Sequence, residues 1–384
     1  MRKAFKYRLW TNENQERELD IMLETHRRLY NACLEQRKTA FESEGKSIKY
    51  TDQSAWFKEE RKTNGYFARI NFSSAQATMR RLHKSYQNFF RRVKSGEKPG
   101  YPRFKARDRF DSIEFPSHGD GIRLKENRLR VQHVGLIRVN LHRPVEGTIK
   151  TLSLKKEAGK WYLVVSCDLG EVSAPVNDLP SVGIDVGIES FFTTSDDEHV
   201  SNPNFLKNEL PELRRAQRAV SRKKKGGKNR KKAVKRVQKL HAKVRNTRNE
   251  FHHKAVNDLI RCYGTIAVES LRVSNMLGNH RLARAISDVA WATFVSILRY
   301  KAESAGAVVM DVDPRNTSQE CSKCGQLVVK KLSVRVHHCP FCGLKIHRDT
   351  NAARNILKRA LQARTEPAGR NPEVAQGVQR SRLL

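Results

Sequence analysis

Three acidic residues occupy positions where a folded chain could bring them together. Within the segment 182–188, Asp185 ends a short apolar strand between two glycines, and within 265–270, Glu269 ends a second apolar run. Asp349 lies where the pattern of the following residues predicts the start of a helix. Mg²⁺ binds few protein ligands, mostly carboxylates, and keeps water and substrate phosphate oxygens in its other positions. We therefore predict one metal site built from these three acids.

The chemistry that such a site could perform is hydrolysis of a phosphodiester. Two divalent ions about 4 Å apart can activate a water on one side of the phosphorus and stabilise the leaving oxygen on the other. Gly183 and Gly187 flank Asp185, and we expect them to leave the strand end open to a nucleic-acid backbone. A single aspartate at a strand end is as often a turn cap, so only the three acids together favour a metal.

A second metal site is predicted by cysteine spacing. Four of the seven cysteines form the pattern C-x₂-C-x₁₄-C-x₂-C, and a glycine follows each pair. The four are Cys321, Cys324, Cys339 and Cys342. Four thiolates close a tetrahedral zinc shell and leave no position for water, so the zinc would be structural. The remaining cysteines are expected in the core, and His337, His338 and His347 on the surface.

The charge of the chain indicates a polyanionic partner. Lysine and arginine number 75 against 40 acids, a formal net charge of +35. The densest basic stretch surrounds Gly226 and Gly227, where we predict a break between two helices. It contributes Arg222, Lys223, Lys224, Lys225, Lys228, Arg230, Lys231 and Lys232. We predict that this hairpin contacts phosphates, the alternative being a solvated charged face.

The elements that would position these residues differ along the chain. A strand over 3–10 precedes helical segments whose aromatic residues, in 73–93, are expected in the core. Short alternating runs then predict a β-rich region with a hairpin turning at Ala158 and Gly159. Tyr101 and Arg103 are candidates for nucleic-acid contact, with packing of the aromatic ring an equal alternative. From residue 182, strands alternate with helices, which predicts an α/β sheet with the acids at one edge; Asp288 is expected to cap or hydrogen-bond and not to bind metal.

At this point the sequence resembles the TnpB proteins of bacterial and archaeal insertion sequences, which are compact relatives of the type V CRISPR effector nucleases. The resemblance covers roughly residues 1–360. It rests on G-I-D-V-G-I, A-V-E-S-L, R-L-A-R-A-I-S-D-V-A-W, the four-cysteine motif, H-R-D-T-N-A-A-R-N-I and G-Y-P-R-F-K.

This resemblance implies an α/β RNase H-like (RuvC) nuclease domain with an inserted zinc ribbon, plus a β-barrel wedge domain carrying a helical recognition insertion. Asp185, Glu269 and Asp349 would bind two Mg²⁺ or Mn²⁺ ions, and one zinc would be structural. The implied domains are the wedge barrel (1–11 and 97–176), the recognition helices (12–96), the nuclease (177–316 and 347–362), the zinc ribbon (317–346) and a disordered tail (363–384).

The function implied is that of an RNA-guided DNA endonuclease of a transposable element. A guide RNA from the transposon end would pair with double-stranded target DNA beside a short motif that the protein reads, and a separate transposase could belong to the same element. The enzymatic alternative is an RNA-independent transposase or nuclease acting on transposon ends. The non-enzymatic alternative is an RNA-guided DNA-binding repressor, which would not need the acids. The sequence shows no signal peptide and no membrane span, so we expect a cytoplasmic, nucleoid-associated protein without a membrane partner.

Overall fold

A computed structural model describes residues 2–171, 177–331 and 333–365 of the chain. The chain divides into two compact units, Met1–Val172 and Ser173–Leu384. Within the described residues, no helix is both long and apolar enough to cross a membrane. A disordered tail was expected from residue 363, but the last helix continues to Thr365. The rest of that tail lies outside the described residues.

The first unit contains a seven-stranded, barrel-like antiparallel sheet in the order β2-β6-β7-β1-β5-β4-β3. Its strands are β1 (Arg2–Trp10), β2 (Ser112–Phe115), β3 (Ile122–Lys125), β4 (Arg128–Val131), β5 (Gly135–Asn140), β6 (Thr148–Glu157) and β7 (Lys160–Asp168). The first strand lies between β5 and β7, so the chain's start returns to the later strands. Alternate residues of β1, namely Phe5, Tyr7 and Leu9, are buried in the core. The predicted turn at Ala158 and Gly159 is confirmed, because both have positive φ and join β6 to β7.

Four α-helices lie between β1 and β2 in the chain: α1 (Glu13–Glu44), α2 (Tyr50–Thr63), α3 (Gly65–Ala68) and α4 (Phe72–Lys94). Helix α1 starts with a capping box in which the Asn12 side chain accepts from the Gln15 amide and the Gln15 side chain accepts from the Asn12 amide. Leu82 and Tyr86 of α4 are buried as predicted. Phe90 is 53% exposed, so the prediction of a core role was wrong for this ring, because it lies one turn beyond Tyr86, the last buried residue of α4.

The second unit contains a five-stranded sheet in the order β10-β9-β8-β11-β12. Its strands are β8 (Ser181–Val186), β9 (Ser190–Thr194), β10 (His199–Ser201), β11 (Thr265–Glu269) and β12 (Val308–Val312). β8, β9 and β10 pair antiparallel, whereas β11 pairs parallel with both β8 and β12. β12 lies at the edge of this sheet, and its Val308 is 52% exposed.

Helices of the second unit follow the strands and provide the core on the sheet's faces. They are α5 (Phe205–Ser221), α6 (Lys228–Cys262), α7 (Val273–Met276), α8 (Ala283–Val289), α9 (Trp291–Ala305) and α10 (Arg348–Thr365). Phe294 and Leu298 of α9 pack with Val256 of α6 against the sheet residues Val182 and Ile266. The small two-stranded sheet of β13 (Val336–His338) and β14 (Lys345–His347) lies within the cysteine-rich segment.

Candidate active site and zinc site

The three predicted acids gather at the carboxyl end of the second sheet, near enough for Glu269 and Asp349 to act electrostatically on Asp185, although their oxygens are not all within 4.8 Å of one another. The parallel pairing of β8 with β11 runs as far as Ile184 and Val268, so the next residues, Asp185 and Glu269, lie side by side at the carboxyl ends of their strands. Asp349 stands in the first turn of α10. The fold therefore brings all three carboxylates to the place where the strands end.

Helix α10 reaches this edge because it packs directly on strand β8. A Cβ added to Gly183 would overlap the carbonyl oxygen of Ala353 and lie 2.7 Å from the backbone nitrogen of Leu357. The expectation that Gly183 leaves room for nucleic acid was wrong: the space is filled by a helix of the same chain. Gly187 faces a different neighbour, since its Cβ would lie 2.9 Å from the carbonyl oxygen of Ser190 in the following turn.

The electrostatics of the acidic edge show that its charges repel. Burial raises the pKa of Asp185 well above the usual range, and the nearby negative charges of Glu269 and Asp349 raise it further. The Arg348 guanidinium opposes this rise in the pKa of Asp185, and its Nε lies 3.4 Å from an oxygen of Asp349. Burial also raises the pKa of Glu269. Carboxylates that repel each other in a partly buried place favour a bound cation.

A group of residues outside the predicted site supports this acidic edge. The Thr317 hydroxyl donates to Oε1 of Glu269 at 2.6 Å and also lies 3.1 Å from the carbonyl oxygen of Pro314. The hydrogen bond from Thr317, with the charge of Arg359, lowers the pKa of Glu269 against the effect of burial. The side-chain amide of Asn355 in turn donates to the carbonyl oxygen of Thr317 at 2.8 Å.

A sequence signal for this group does exist. Asn351, Asn355 and Arg359 are spaced four residues apart, which places them on one face of a helix. Asn351 is fully buried and Asn355 is 1% exposed. Buried amides at helical spacing must find hydrogen-bond partners, so the pattern predicts a polar loop packed on that face.

The four predicted cysteine ligands are brought together. Cys321, Cys324, Cys339 and Cys342 are the one group of possible ligands, among the described residues, whose atoms all lie within 4.8 Å of one another. Two sulfur–sulfur distances, Cys321 to Cys342 and Cys324 to Cys339, are 3.6 Å. A tetrahedron with zinc–sulfur bonds of about 2.3 Å has edges of about 3.8 Å, so the cluster fits a zinc ion. The glycines after the two pairs adopt positive φ, which closes each cysteine turn.

The structure corrects two expectations, one about the histidines near the cluster and one about the cysteines outside it. His337 is completely buried, because it stands on strand β13 and faces inward, whereas His338 is exposed and His347 is partly buried. Cys33 and Cys167 lie in the core as expected, but Cys262 is exposed at the end of helix α6.

The basic stretch forms the tip of a helical hairpin. The predicted break at Gly226 and Gly227 is confirmed, because α5 ends at Ser221 and α6 begins at Lys228. Leu213, Ala216 and Leu240 form the apolar seam between the helices. The eight predicted basic residues are exposed, except for the partly buried Arg230, and none forms an ion pair with another described residue. Helix α6 is about 50 Å long at about 1.5 Å per residue, so the basic residues of its first turn lie far along the helix from Val256 and Leu259, which pack in the core.

Asp288 takes the structural role that was predicted for it. Its carboxylate accepts from the backbone amides of Leu206 and Lys207 at the start of α5, both at distances of 2.9 to 3.2 Å. Arg248 of α6 donates to the same carboxylate at 2.6 Å. Asp288 therefore joins α8 to the basic hairpin and is committed to helix capping.

Tyr101 and Arg103 lie on the surface of the first unit. Tyr101 is 42% exposed, and its hydroxyl lies 2.9 Å from that of Tyr86. Its ring meets Phe89 edge to face with centroids 5.3 Å apart, next to the half-exposed Phe90. The Tyr101 ring is therefore partly packed and partly exposed, and its contact with nucleic acid stays a prediction.

Comparisons with known proteins divide the chain into three matched segments. Residues 164–280 match a family described as "Probable transposase". Residues 291–356, which contain the cysteine cluster and Asp349, match "Cas12f1-like, TNB domain". Residues 1–46 match "Helix-turn-helix domain", and in this structure they form strand β1 and the long helix α1.

Several relatives are similar over most of the chain. A protein of Streptomyces pristinaespiralis named "Putative RNA-guided DNA endonuclease" is 34% identical over 382 residues, 97% of this chain and 93% of that one. InsQ of Escherichia coli K12, which carries the same description, is 30% identical over 376 residues, 92% of this chain and 91% of its own. The CRISPR-associated endodeoxyribonuclease Cas12f1 of Sulfoacidibacillus thermotolerans is 25% identical over 348 residues, covering 80% of this chain and 81% of its own.

Proposed function

This chain belongs to the TnpB family of transposon-associated, RNA-guided DNA endonucleases, and we propose that the acidic edge of its second sheet is the site that cleaves DNA. The observation that carries the proposal is the juxtaposition of Asp185, Glu269 and Asp349: burial raises the pKa of Asp185, and the charges of the other two acids raise it further. A structural role does not account for three acids that repel one another at the end of a sheet. Acids at such a place are a common sign of a functional site.

The donor set fits divalent metal ions. Asp185, Glu269 and Asp349 would hold two Mg²⁺ or Mn²⁺ ions, since hard cations are bound by carboxylate oxygens. When bound, such ions activate a water and stabilise the leaving oxygen of a phosphodiester. The chain's own contribution is to hold the three carboxylates in place, through two strands and one helix, and to moderate their repulsion with Arg348.

We assign the second unit to the RNase H-like, RuvC-type fold. The assignment is supported by the sheet, in which three antiparallel strands continue into two parallel ones, and by acids placed on the first strand, on the first parallel neighbour and on the closing helix. The first unit would be the wedge barrel with its recognition helices. The four cysteines would bind one structural zinc, which leaves the metal at the acidic edge as the catalytic one.

A guide RNA and double-stranded target DNA are the partners that the charge supports. The tip of the hairpin presents Arg222, Lys223, Lys224, Lys225, Lys228, Arg230, Lys231 and Lys232 without ion-pair partners among the described residues. Unpaired exposed cations of this density bind phosphates and release counterions. Tyr101 and Arg103 add an exposed ring and a cation in the first unit, a combination suited to stacking a base and contacting its phosphate.

The proposal is tested by expressing the gene with its native downstream flank, purifying the protein and sequencing the RNA bound to it. We expect one discrete species that maps to the 3′ end of the gene and ends in a variable segment. That complex should cut duplex DNA carrying the matching sequence, with Mg²⁺, and should not cut unmatched DNA. Heterogeneous cellular RNA with no guided cleavage would contradict the proposal and favour recognition of DNA by the protein alone.

A further inference from the structure

We propose that Thr317 is a positioning residue for the acidic edge and that Asn355 holds Thr317 in place, so that helix α10 positions two of the three carboxylates. This inference rests on the proposed function, because it assigns Glu269 to metal binding. It concerns residues that lie outside the acid triad and outside the cysteine cluster. Neither the charge of the site nor the cysteine pattern requires them.

The first step is the contact with Glu269. Glu269 is the last residue of β11: its backbone pairs with Val312 of β12, but the pairing with β8 stops one residue earlier, at Val268. The hydroxyl of Thr317 donates to Oε1 at 2.6 Å, and this bond leaves Oε2 and the second lone pair of Oε1 available to a cation. A carboxylate with one oxygen bonded in this way is already restricted about its terminal torsion. Metal binding then costs less conformational free energy, because little rotational freedom is left to lose.

The second step is the support of Thr317. The residue is 4% exposed and its hydroxyl also lies near Pro314, so the turn that contains it is compact. Asn355 donates to the carbonyl oxygen of Thr317 at 2.8 Å and to that of Glu320 at 2.7 Å. One buried amide therefore fixes both ends of the segment 317–320 against α10.

The third step connects this segment to Asp349 and to the cysteines. Asn351 of the same helix face donates to the carbonyl oxygen of Glu320 at 2.7 Å and accepts from the amide of Ser322 at 2.9 Å. Arg359 bonds the Glu320 carboxylate at 2.6 Å. Asp349 stands in the first turn of this helix, and Cys321 directly follows Glu320. The spacing between Asp349 and Glu269 is thus set by one rigid element, to which the first cysteine pair is also attached.

The experiment compares Thr317→Val, which keeps the shape and removes the donor, with Thr317→Ser, which keeps the donor. With the complete protein–guide RNA complex, we expect Thr317→Val to lower the kcat of DNA cleavage by roughly 10- to 100-fold and to raise the half-saturating Mg²⁺ concentration. The KM for target DNA should stay unchanged, because the substitution alters neither base pairing with the guide RNA nor the basic hairpin. Thr317→Ser should recover most of the wild-type rate.

A second readout does not depend on activity. Calorimetric titration of Mn²⁺ into the full-length protein without RNA should show roughly tenfold weaker binding for Thr317→Val than for the wild type. Thr265→Val is the matched control, since Thr265 is a buried threonine at the opposite end of the same strand as Glu269, and it should bind Mn²⁺ as the wild type does.

A double-mutant cycle tests the role of Asn355. Asn355→Leu alone should reproduce the defect of Thr317→Val, and the double variant should be little worse than either single one, because both changes remove the same support. Full additivity would overturn the role assigned to Asn355. Wild-type Mn²⁺ affinity and cleavage in Thr317→Val, or equal damage in Thr317→Ser, would overturn the role assigned to Thr317. If the wild-type complex itself failed to cleave guided DNA, the proposed function would fail instead.

Discussion

Gly183 lies against Ala353 so closely that the backbone of strand β8 touches the backbone of helix α10. A methyl group on Gly183 would overlap the Ala353 carbonyl oxygen. The φ of Gly183 is not in the left-handed region, so the requirement for glycine is one of space alone. Because Asp185 follows two residues later on the strand and Asp349 precedes on the helix, this contact sets how near the two acids can come.

Gly183→Ala should therefore separate the acids as well as destabilise the protein. We expect α10 to move outward, a loss of stability of about 1–3 kcal/mol from overpacking, and a large loss of cleavage. Thermal unfolding and a DNA-cleavage assay would measure the two effects. Gly65→Ala is the control, since a Cβ at Gly65 meets nothing within 4 Å and its φ is not positive. A fully active and equally stable Gly183→Ala protein would show that this contact does not determine the acid spacing.

The acids and the cysteines could be located from the sequence because their signals are local. A carboxylate at the end of an apolar run needs only the strand to be recognised, and C-x₂-C pairs with following glycines define their own turns. The break of the basic hairpin was equally local, since Gly226 and Gly227 interrupt two apolar seams. These features do not depend on knowing which distant segment packs against them.

The supporting contacts could not be predicted in the same way. Thr317 and Glu269 are 48 residues apart, and only the packed loop brings them together. The role of Gly183 was assigned wrongly for the same reason, because a glycine at a strand end leaves space that either a helix or a ligand can occupy. The burial of His337 and the exposure of Phe90 likewise depend on where neighbouring segments end.

Asp185→Asn should abolish cleavage and leave binding almost intact. The substitution keeps the size of the side chain but removes a charged metal ligand, and we expect activity below about 1% of wild type at saturating Mg²⁺. Guide RNA and target DNA affinities, measured by filter binding in Ca²⁺ buffer, should change less than about threefold. Unchanged cutting would remove Asp185 from the site.

The same substitution should stabilise the protein when no divalent metal is bound to the acids. Because the pKa of Asp185 is raised in the folded state, the folded protein binds more protons than the unfolded one above about pH 4, and stability falls as pH rises towards the raised pKa. Asp185→Asn removes this loss. In Mg²⁺-free buffer its melting temperature should exceed that of the wild type at neutral pH, by about 2–4 °C per kcal/mol, and converge with it below about pH 4. A lower melting temperature at neutral pH would contradict the repulsion among the acids.

Cys324→Ser should release zinc and weaken the acidic edge at a distance. Structural zinc binding is coupled to folding, and the segment that supports Glu269 leads directly into the first cysteine pair. We expect loss of bound zinc by elemental analysis, a lower melting temperature and faster hydrogen exchange in residues 313–330. Cys262→Ser, which changes an exposed cysteine outside the cluster, should retain zinc and stability. A zinc-free Cys324→Ser protein of full stability would separate the cluster from the nuclease fold.

Neutralising the tip of the basic hairpin should weaken nucleic-acid binding in a salt-dependent manner. Replacing Lys223, Lys224 and Lys225 with glutamine removes up to three phosphate contacts, so the slope of log K against log salt should flatten by about 0.9 per contact on duplex DNA. The melting temperature should hardly change, since these side chains are exposed.

A matched control removes the same charge from lysines that already have acidic partners. Lys38, Lys46 and Lys62 lie 3.6, 2.7 and 2.5 Å from Glu42, Glu44 and Glu59, so their replacement by glutamine should alter the salt slope much less. Fluorescence anisotropy with labelled duplex across a range of KCl concentrations would measure both triple variants. Equal slopes in the two would mean that the hairpin tip is a solvated face and that phosphate contact lies elsewhere on the chain.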